Sequence, residues 1–303
     1  SEYYRDKERN IFLFYNKNLS VIKKNGIICM FDGNYIHGGL TDRLRGICSI
    51  YDFCKEKKVP FYICFTNPFN LKDYLEPYKY DWNINSNDIN ISNSTIVFVN
   101  DWEIPLPLHK YYFKKAVKAS KQKQVLIYSN TNFRDYNFHK NFHELFKPSI
   151  KLQNEINKII DDIGDKYITI SFRFTTLLGD FKDCINTPLS SEKQEELIND
   201  CLKAIEDIYK NTSVNKVVIT SDSIKFLERS SNLPFVYIIK GNVGHIDHTN
   251  DDNTTLKTFL DYYIISKAQE AYLVIGKGMY KSGFSKHAAL MGDTKFIEYY
   301  IKY

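Results

Sequence analysis

Two rhythms alternate along the chain. Short, unbroken apolar runs give way to longer stretches in which apolar residues recur every three or four positions. The first run, "GIICMFDG" (Gly26–Gly33), ends in Asp-Gly and reads as a buried strand followed by a turn. Beyond it Leu44, Ile47, Cys48, Tyr51 and Cys54 fall on one helical face, with Thr41 or Asp42 placed to cap its start. "VPFYICF" (Val59–Phe65) is the next strand, completing a βαβ unit. Residues 66–100 are rich in Asn, Asp, Ser and Tyr and give no readable element. "KQVLIYS" (Lys123–Ser129) predicts a strand. Tyr136 to Phe146 carries aromatics with His139 and His143, and a helix after Pro148 presents Leu152, Ile156, Ile159, Ile160 and Ile163 on one side.

The second half repeats the alternation. "KYITISFRF" (Lys166–Phe174), "NKVVITSDS", "FVYIIKG" and "AYLVIGKG" predict strands. A helix opening on a Ser191…Gln194 capping box carries Leu197, Ile198, Cys201, Leu202, Ile205 and Ile208. A second carries Leu256, Phe259, Leu260, Tyr263 and Ile264, and "GFSKHAALMG" opens a third. The expectation is an α/β protein of two halves, 1–150 and 151–303, each built on a mostly parallel sheet. Ligands of such sheets sit where strands end and helices begin.

Composition narrows the class. The 303 residues are 43% hydrophobic and 15% aromatic, enough for a packed core. A net charge of +5 suits an anionic ligand or a membrane surface, and with no Lys/Arg run or RNA-binding signature it does not support a nucleic-acid partner. Cys29, Cys48, Cys54, Cys64, Cys184 and Cys201 form no CxxC pair, and several lie in apolar segments, as small hydrophobes do in a reducing compartment. With no apolar run long enough to span a bilayer and no signal-peptide pattern, the expected setting is cytoplasmic or membrane-peripheral.

Three strand ends carry candidate chemistry. In "NYIHGGLTDRLRG", Gly38 and Gly39 allow close backbone approach before a helix start, and Arg43 and Arg45 follow in the first turn. Cations there oppose the helix dipole, which an anion would offset; a capped turn with Arg43 paired to a carboxylate is the other reading. In "ITISFRFTTLLGD", Arg173 ends an apolar strand and must be paired or face a ligand, and its planar fork suits two phosphate oxygens. In "GKGMYKSGFSKHAALMG", Ser282, Ser285 and a helix start could cradle a phosphate, with Lys277 and Lys281 nearby. The His245, Asp247 and His248 cluster reads as a solvated loop rather than a metal site. No Asp-x-Asp pair, G-x-S-x-G, P-loop or G-x-G-x-x-G follows the first strand or occurs at the other strand ends, so no metal-diphosphate clamp, hydrolase elbow or dinucleotide fingerprint is expected.

Together, in this order, the three segments resemble the fucosyltransferase superfamily of nodulation, α1,6- and protein O-fucosyltransferases. "GGLTDRLRGI" is similar to its first loop, "SFR" (Ser171–Arg173) to its His-x-Arg, "ITSDSIKFL" to its Thr-Asp-Asp segment and "SGFSKHAALMG" to its Ser-x-Phe-Ser segment. The resemblance covers 25–65 and 165–295. It implies a GT-B fold, two Rossmann-like domains facing across a donor-binding cleft, with the acceptor on the side of 1–150 and the nucleotide sugar on 151–303. It further implies inverting, metal-independent transfer from a GDP-sugar, usually GDP-fucose, with no cofactor; the lack of a secretory-signal pattern fits a surface glycan or lipid-linked oligosaccharide as the acceptor. Arg173 would take the β-phosphate. Ser282, Phe284 and Ser285 would surround the diphosphate and base, and Asp222 and Ser223 the nucleoside. Gly38, Gly39 and Arg43 would line the donor, and His37 and Asp42 are the candidate bases for the acceptor hydroxyl. Two positions depart from the pattern: Ser171 stands for the family histidine and Ser223 for its second aspartate. The rival readings are a transferase of another nucleotide sugar and a non-catalytic nucleotide- or glycan-binding protein.

Overall fold

The computed structural model describes residues 2–16, 24–100, 104–132, 134–181, 187–241 and 251–302. His245, Asp247, His248 and Cys184 lie outside them. The described residues form two compact units, one up to Ser149 and one from Ile150 onward.

The first unit runs α1 (Glu2–Tyr15), β1 (Gly26–Phe31), α2 (Leu40–Lys57), β2 (Phe61–Phe65), β3 (Leu75–Pro77), β4 (Ser94–Val99), α3 (Leu106–Ser120), β5 (Gln124–Ser129), α4 (Phe138–Leu145) and β6 (Phe146–Pro148). Strands β2, β1, β5 and β4 make a parallel sheet in that order, and β3 pairs with β6 in a short antiparallel ribbon. Every residue of β1 and β5 is buried because both faces of the sheet are covered, which is why they read as continuous apolar runs. Helices α2 and α3 pack on one face. On the other, Ile11 and Tyr15 of α1 join Ile84, Ile89 and Ile91 over Ile28, Met30, Leu126 and Tyr128. A polar pin holds this layer: the hydroxyls of Tyr15 and Tyr128 both donate to Asp32 Oδ2, each at 2.6 Å. Burial and the Asp32 charge push both phenols far up, so they remain protonated donors.

The second unit runs α5 (Ile150–Ile163), β7 (Tyr167–Phe172), α6 (Ser191–Lys210), β8 (Lys216–Ser221), α7 (Ile224–Ser230), β9 (Val236–Ile238), α8 (Asp252–Lys267), β10 (Glu270–Ile275), α9 (Phe284–Gly292) and β11 (Lys295–Tyr300). Its five strands are parallel in the order β11, β10, β7, β8, β9, which puts β7 at the centre. Leu197, Ile198, Cys201 and Ile205 of α6 pack with Phe226 on Ile168, Ile170 and Phe172. Helix α8 packs with α5 and α9 and against β7. The α/β alternation is as expected, and five of the cysteines are free and buried.

The expected helix caps are corrected. Helix α2 begins behind Gly39 with no side-chain cap, so neither Thr41 nor Asp42 serves. In α6 the cap is Ser190, one residue earlier than expected; it accepts from Lys193 N, and Gln194 instead donates to Leu189 O at 2.8 Å. The run "FVYIIKG" contracts to the three residues of β9. No helix among the described residues is long and apolar enough to cross a membrane.

One glycine is required by space alone. A Cβ on Gly292, the last residue of α9, would lie 1.9 Å from Ser266 O of α8, a fixed backbone atom. Helix propensity favours Ala over Gly by about 1 kcal/mol, but an overlap of this size forces a backbone shift costing about 1–3 kcal/mol or more. Gly292→Ala should therefore lower the melting temperature, by roughly 2–4 °C per kcal/mol for a protein of this size, and an unchanged or raised value in a thermal melt would contradict the close approach.

Candidate functional site

In both units the candidate residues gather at the carboxyl ends of parallel strands, where ligands of such sheets bind. In the first unit β1 ends at Phe31 and the chain turns through residues 32–39 into α2. Gly38 sits at φ +79, a left-handed conformation natural to glycine, and a Cβ there would meet Asp42 Oδ2 at 2.8 Å. Gly39 is extended and precedes the uncapped helix start. Arg43 is buried. Its Nε donates to Gly38 O at 2.9 Å and its NH1 to Asn67 O at 3.1 Å, with the guanidinium over the rings of Phe31 and Phe65. Two carbonyls thus answer the charge, and Arg43 stitches the loop after β1 to the loop after β2. Arg45 pairs with Asp42 at 3.3 Å, and the Asp42 side chain remains 45% exposed.

His37 is 1% exposed, packed against Phe31, Tyr35 and Tyr128. Neither ring nitrogen has a hydrogen-bond partner among the described residues. Burial, reinforced by the Arg43 charge, holds its pKa well below the usual histidine value, so the ring is neutral. Its carbonyl accepts from Asn130 Nδ2 at 2.8 Å, which fixes the loop to the end of β5.

In the second unit the centre is the junction of β7 and β8. Arg173 follows β7, with its side chain 22% exposed and Nε 3.4 Å from Asp222 Oδ2. Its guanidinium lies 4.9 Å from the Phe181 ring centroid. Asp222 is buried and accepts from Phe174 N at 2.9 Å and Thr175 N at 2.8 Å. Burial raises its pKa, while Arg173 and these N–H groups act to lower it. Ser171 bonds Thr220 at 2.7 Å directly across the β7–β8 register. Ser223 caps α7, accepting from Phe226 N and donating to Asp180 Oδ2 at 2.8 Å; Asp180 also accepts from Lys225 N.

The segment after β10 adjoins this junction, since Tyr280 N donates to Arg173 O at 3.0 Å. Ser282 Oγ accepts from Phe284 N at 3.3 Å, and no side chain caps α9 from Gly283. The Phe284 ring meets Tyr262 edge-on at 5.4 Å. Ser285 Oγ is buried without a partner among the described residues. The two nearby lysines are committed to carboxylates, Lys277 to Asp200 and Lys281 to Glu298.

The structure therefore brings Ser171, Arg173, Asp222, Ser223, Ser282, Phe284 and Ser285 to one edge of the second sheet. His37, Gly38, Gly39, Asp42 and Arg43 come to one edge of the first. Three residues that sequence reasoning passed over complete the frame: Asn67, Asp180 and Phe181. Asp180 could have been found from its Gly-Asp turn inside the Arg173 segment. Asn67 acts through its carbonyl and leaves no side-chain signal. Among the described residues no group of three or more His, Cys, Asp or Glu is placed to hold a metal.

No family model and no curated protein matches the chain by sequence. Solved structures match it well in shape. The α-1,6-fucosyltransferase NodZ, soaked with GDP-fucose, superposes with a TM-score of 0.59 at 12% identity over 88% of this chain and 93% of that one. FUT1 of Arabidopsis thaliana, a mutant bound to GDP, gives 0.57 at 12% identity over 97% and 77%. POFUT1 bound to GDP gives 0.54 at 11% identity over 93% and 100%. At such identities the likeness is one of fold, and the chain has the GT-B fold of these fucosyltransferases, as the sequence resemblance implied.

Proposed function

We propose that the protein is an inverting, metal-independent glycosyltransferase that moves fucose from GDP-fucose to a glycan acceptor, with the nucleotide sugar held by the second unit and the acceptor by the first. The observation that carries this reading is Arg173: a partly exposed guanidinium at the end of the central strand, oriented from one side by Asp222 and from one face by Phe181. Solved proteins of the same fold are described with GDP or GDP-fucose, which supports the donor class.

In this mechanism the acceptor oxygen attacks the anomeric carbon as its bond to the GDP oxygen breaks, through an oxocarbenium-like state. Negative charge grows on the departing β-phosphate. Without a metal it must be met by fixed donors, and Arg173, the uncapped start of α9 and the Ser282 and Ser285 hydroxyls are the groups for that task. Asp222 serves as the anchor that holds Arg173 and the following loop, with Ser223 beside it at the nucleoside. The acceptor proton passes to a base. Asp42 is the better of the two candidates because its carboxylate meets solvent, while His37 is enclosed by aromatic rings.

One observation favours a second reading, a different nucleotide sugar. Ser171 is engaged with Thr220, and Ser223 with Asp180 and Phe226 N, so these two departures from the family pattern are spent on internal bonds.

A thermal-shift panel of GDP-, UDP-, CMP- and ADP-sugars decides between the two. GDP-fucose in excess EDTA should raise the melting temperature; stabilisation by another nucleotide sugar alone selects the second reading, and a shift that requires added manganese or magnesium removes metal independence. Arg173→Ala should reduce turnover roughly 10²-fold or more, the scale for losing one positioned stabiliser of developing charge. Arg173→Lys should rescue little, because an ammonium lacks the two-pronged fork. A folded Arg173→Ala protein with near wild-type turnover would leave the arginine structural.

His37 gives a pH signature of its own. Its folded pKa is depressed, so below the ordinary value near 6.5 the unfolded chain binds a proton that the folded one does not. Stability should then fall with decreasing pH from that point, by up to about 1.4 kcal/mol per pH unit. In urea titrations across pH 7 to 5, His37→Phe should show a shallower decline than wild type; parallel declines would mean the ring titrates normally.

A further inference from the structure

The longest stretch of one-sided charge in the chain lies on a helix that the transferase reading does not use. From Ile104 to Asn132 there are six lysines, Lys110, Lys114, Lys115, Lys118, Lys121 and Lys123, and no Asp or Glu. Most of this stretch is α3. Its buried stripe is His109, Phe113, Ala116 and Ser120, spaced by four, three and four residues, and it packs on the first sheet. The geometry of a helix fixes what lies opposite. Half a turn from that stripe come Tyr111, Lys114, Lys115 and Lys118, all exposed. Tyr111 is 50% exposed and Leu108 46%, and Tyr112 lies beside Tyr111 at 5.7 Å between ring centroids. Lys115 Nζ lies over the Tyr111 ring at 4.6 Å.

We infer that the outward face of α3 docks on an anionic lipid surface. Charge complementarity carries the argument. Elsewhere in the structure several helical lysines meet carboxylates: Lys55 pairs with Glu144, Lys158 with Glu155, Lys257 with Asp261 and Lys151 with Asp252. The α3 stretch supplies no carboxylate of its own, and among the described residues none pairs with its lysines, so a negative surface outside the molecule would answer their charge. The exposed apolar groups narrow the choice to a bilayer. Tyrosine at this depth places its ring at the headgroup level with its hydroxyl in water, and lysine stems lie along apolar surface while the ammonium reaches the phosphates. Fifteen residues of helix give a stripe about 22 Å long that lies flat along the sheet. A flat stripe of tyrosine and lysine fits a headgroup plane; a nucleic-acid groove is better read by arginine forks, of which this face has none.

The inference does not rest on the transferase reading, and its test uses the full chain with no donor or acceptor present. Vesicles of phosphatidylcholine with 30% phosphatidylglycerol are compared with pure phosphatidylcholine in a sedimentation assay at about 0.1 M salt, where surface charges still act over roughly 10 Å. Binding is expected on the anionic vesicles only, falling as salt is raised. The triple variant Lys114→Gln, Lys115→Gln, Lys118→Gln should lower the partition coefficient about 10²-fold, since each lysine near an anionic leaflet contributes roughly fivefold. Tyr111→Ala should weaken binding at high salt, where the apolar contribution remains. A control triple on the exposed side of α6, Lys193→Gln, Lys203→Gln, Lys210→Gln, makes the same change in net charge and should bind as wild type does. Equal binding to neutral vesicles, no binding to either, equal losses in the two triple variants, or binding to duplex DNA but not to vesicles would each overturn the inference. Glutamine preserves helix propensity at these surface positions, and matched melting temperatures confirm that the variants are folded.

Discussion

A single buried carboxylate organises the candidate site of the second unit. Asp222 stands after β8, yet most of what it holds belongs to the chain after β7: the N–H groups of Phe174 and Thr175 and the Nε of Arg173. Three donors converge on a group whose ionised form burial disfavours, and each donor restores part of what desolvation removes. Replacing the carboxylate with an apolar group would leave two buried N–H groups unpaired, at about 1–3 kcal/mol each. The loop that carries Arg173 therefore keeps its path only while Asp222 is present. Asp180 repeats the device on a smaller scale, tying the far end of that loop to the start of α7.

The first unit solves the same problem with opposite charge. Arg43 is a buried cation held by two backbone carbonyls and two aromatic faces, and it fixes loops that follow neighbouring strands. In each unit a charged side chain serves as the clamp for irregular backbone, while a second charged group nearby keeps contact with solvent: Arg173 beside Asp222, and Asp42 beside Arg43. Buried charge here sets geometry, and in each unit a part-exposed charge stands beside it.

The sequence was most legible where burial was two-sided. β1, β5 and β7 are sealed on both faces and announce themselves as apolar runs. β4 and β11 lie at sheet edges and are mostly half-buried; β11 is broken by Lys295 and Glu298, while the short apolar run 96–99 of β4 is set in a stretch rich in Asn and Ser. Helix α3 hides for a different reason: of His109, Phe113, Ala116 and Ser120 only one is large and apolar, so its buried stripe has no hydrophobic period. Arg43 and Arg173 were visible as anomalies, cations where apolar pattern and helix dipole disfavour them. What satisfies Arg43 was not visible, because the Asn67 carbonyl lies twenty-four residues away and any residue type could supply it.

The contact between α8 and α9 has a mechanical consequence. The helices touch backbone to backbone where Gly292 meets Ser266 O, and ring to edge where Phe284 meets Tyr262. The two contacts lie at opposite ends of a nine-residue helix, so α9 is held to α8 at both its ends. Helix α9 also packs on β10 and β11, and α8 in turn packs on α5 and β7. A displacement of the first turn of α9 must therefore be accommodated by α8 as well as by the strands it covers.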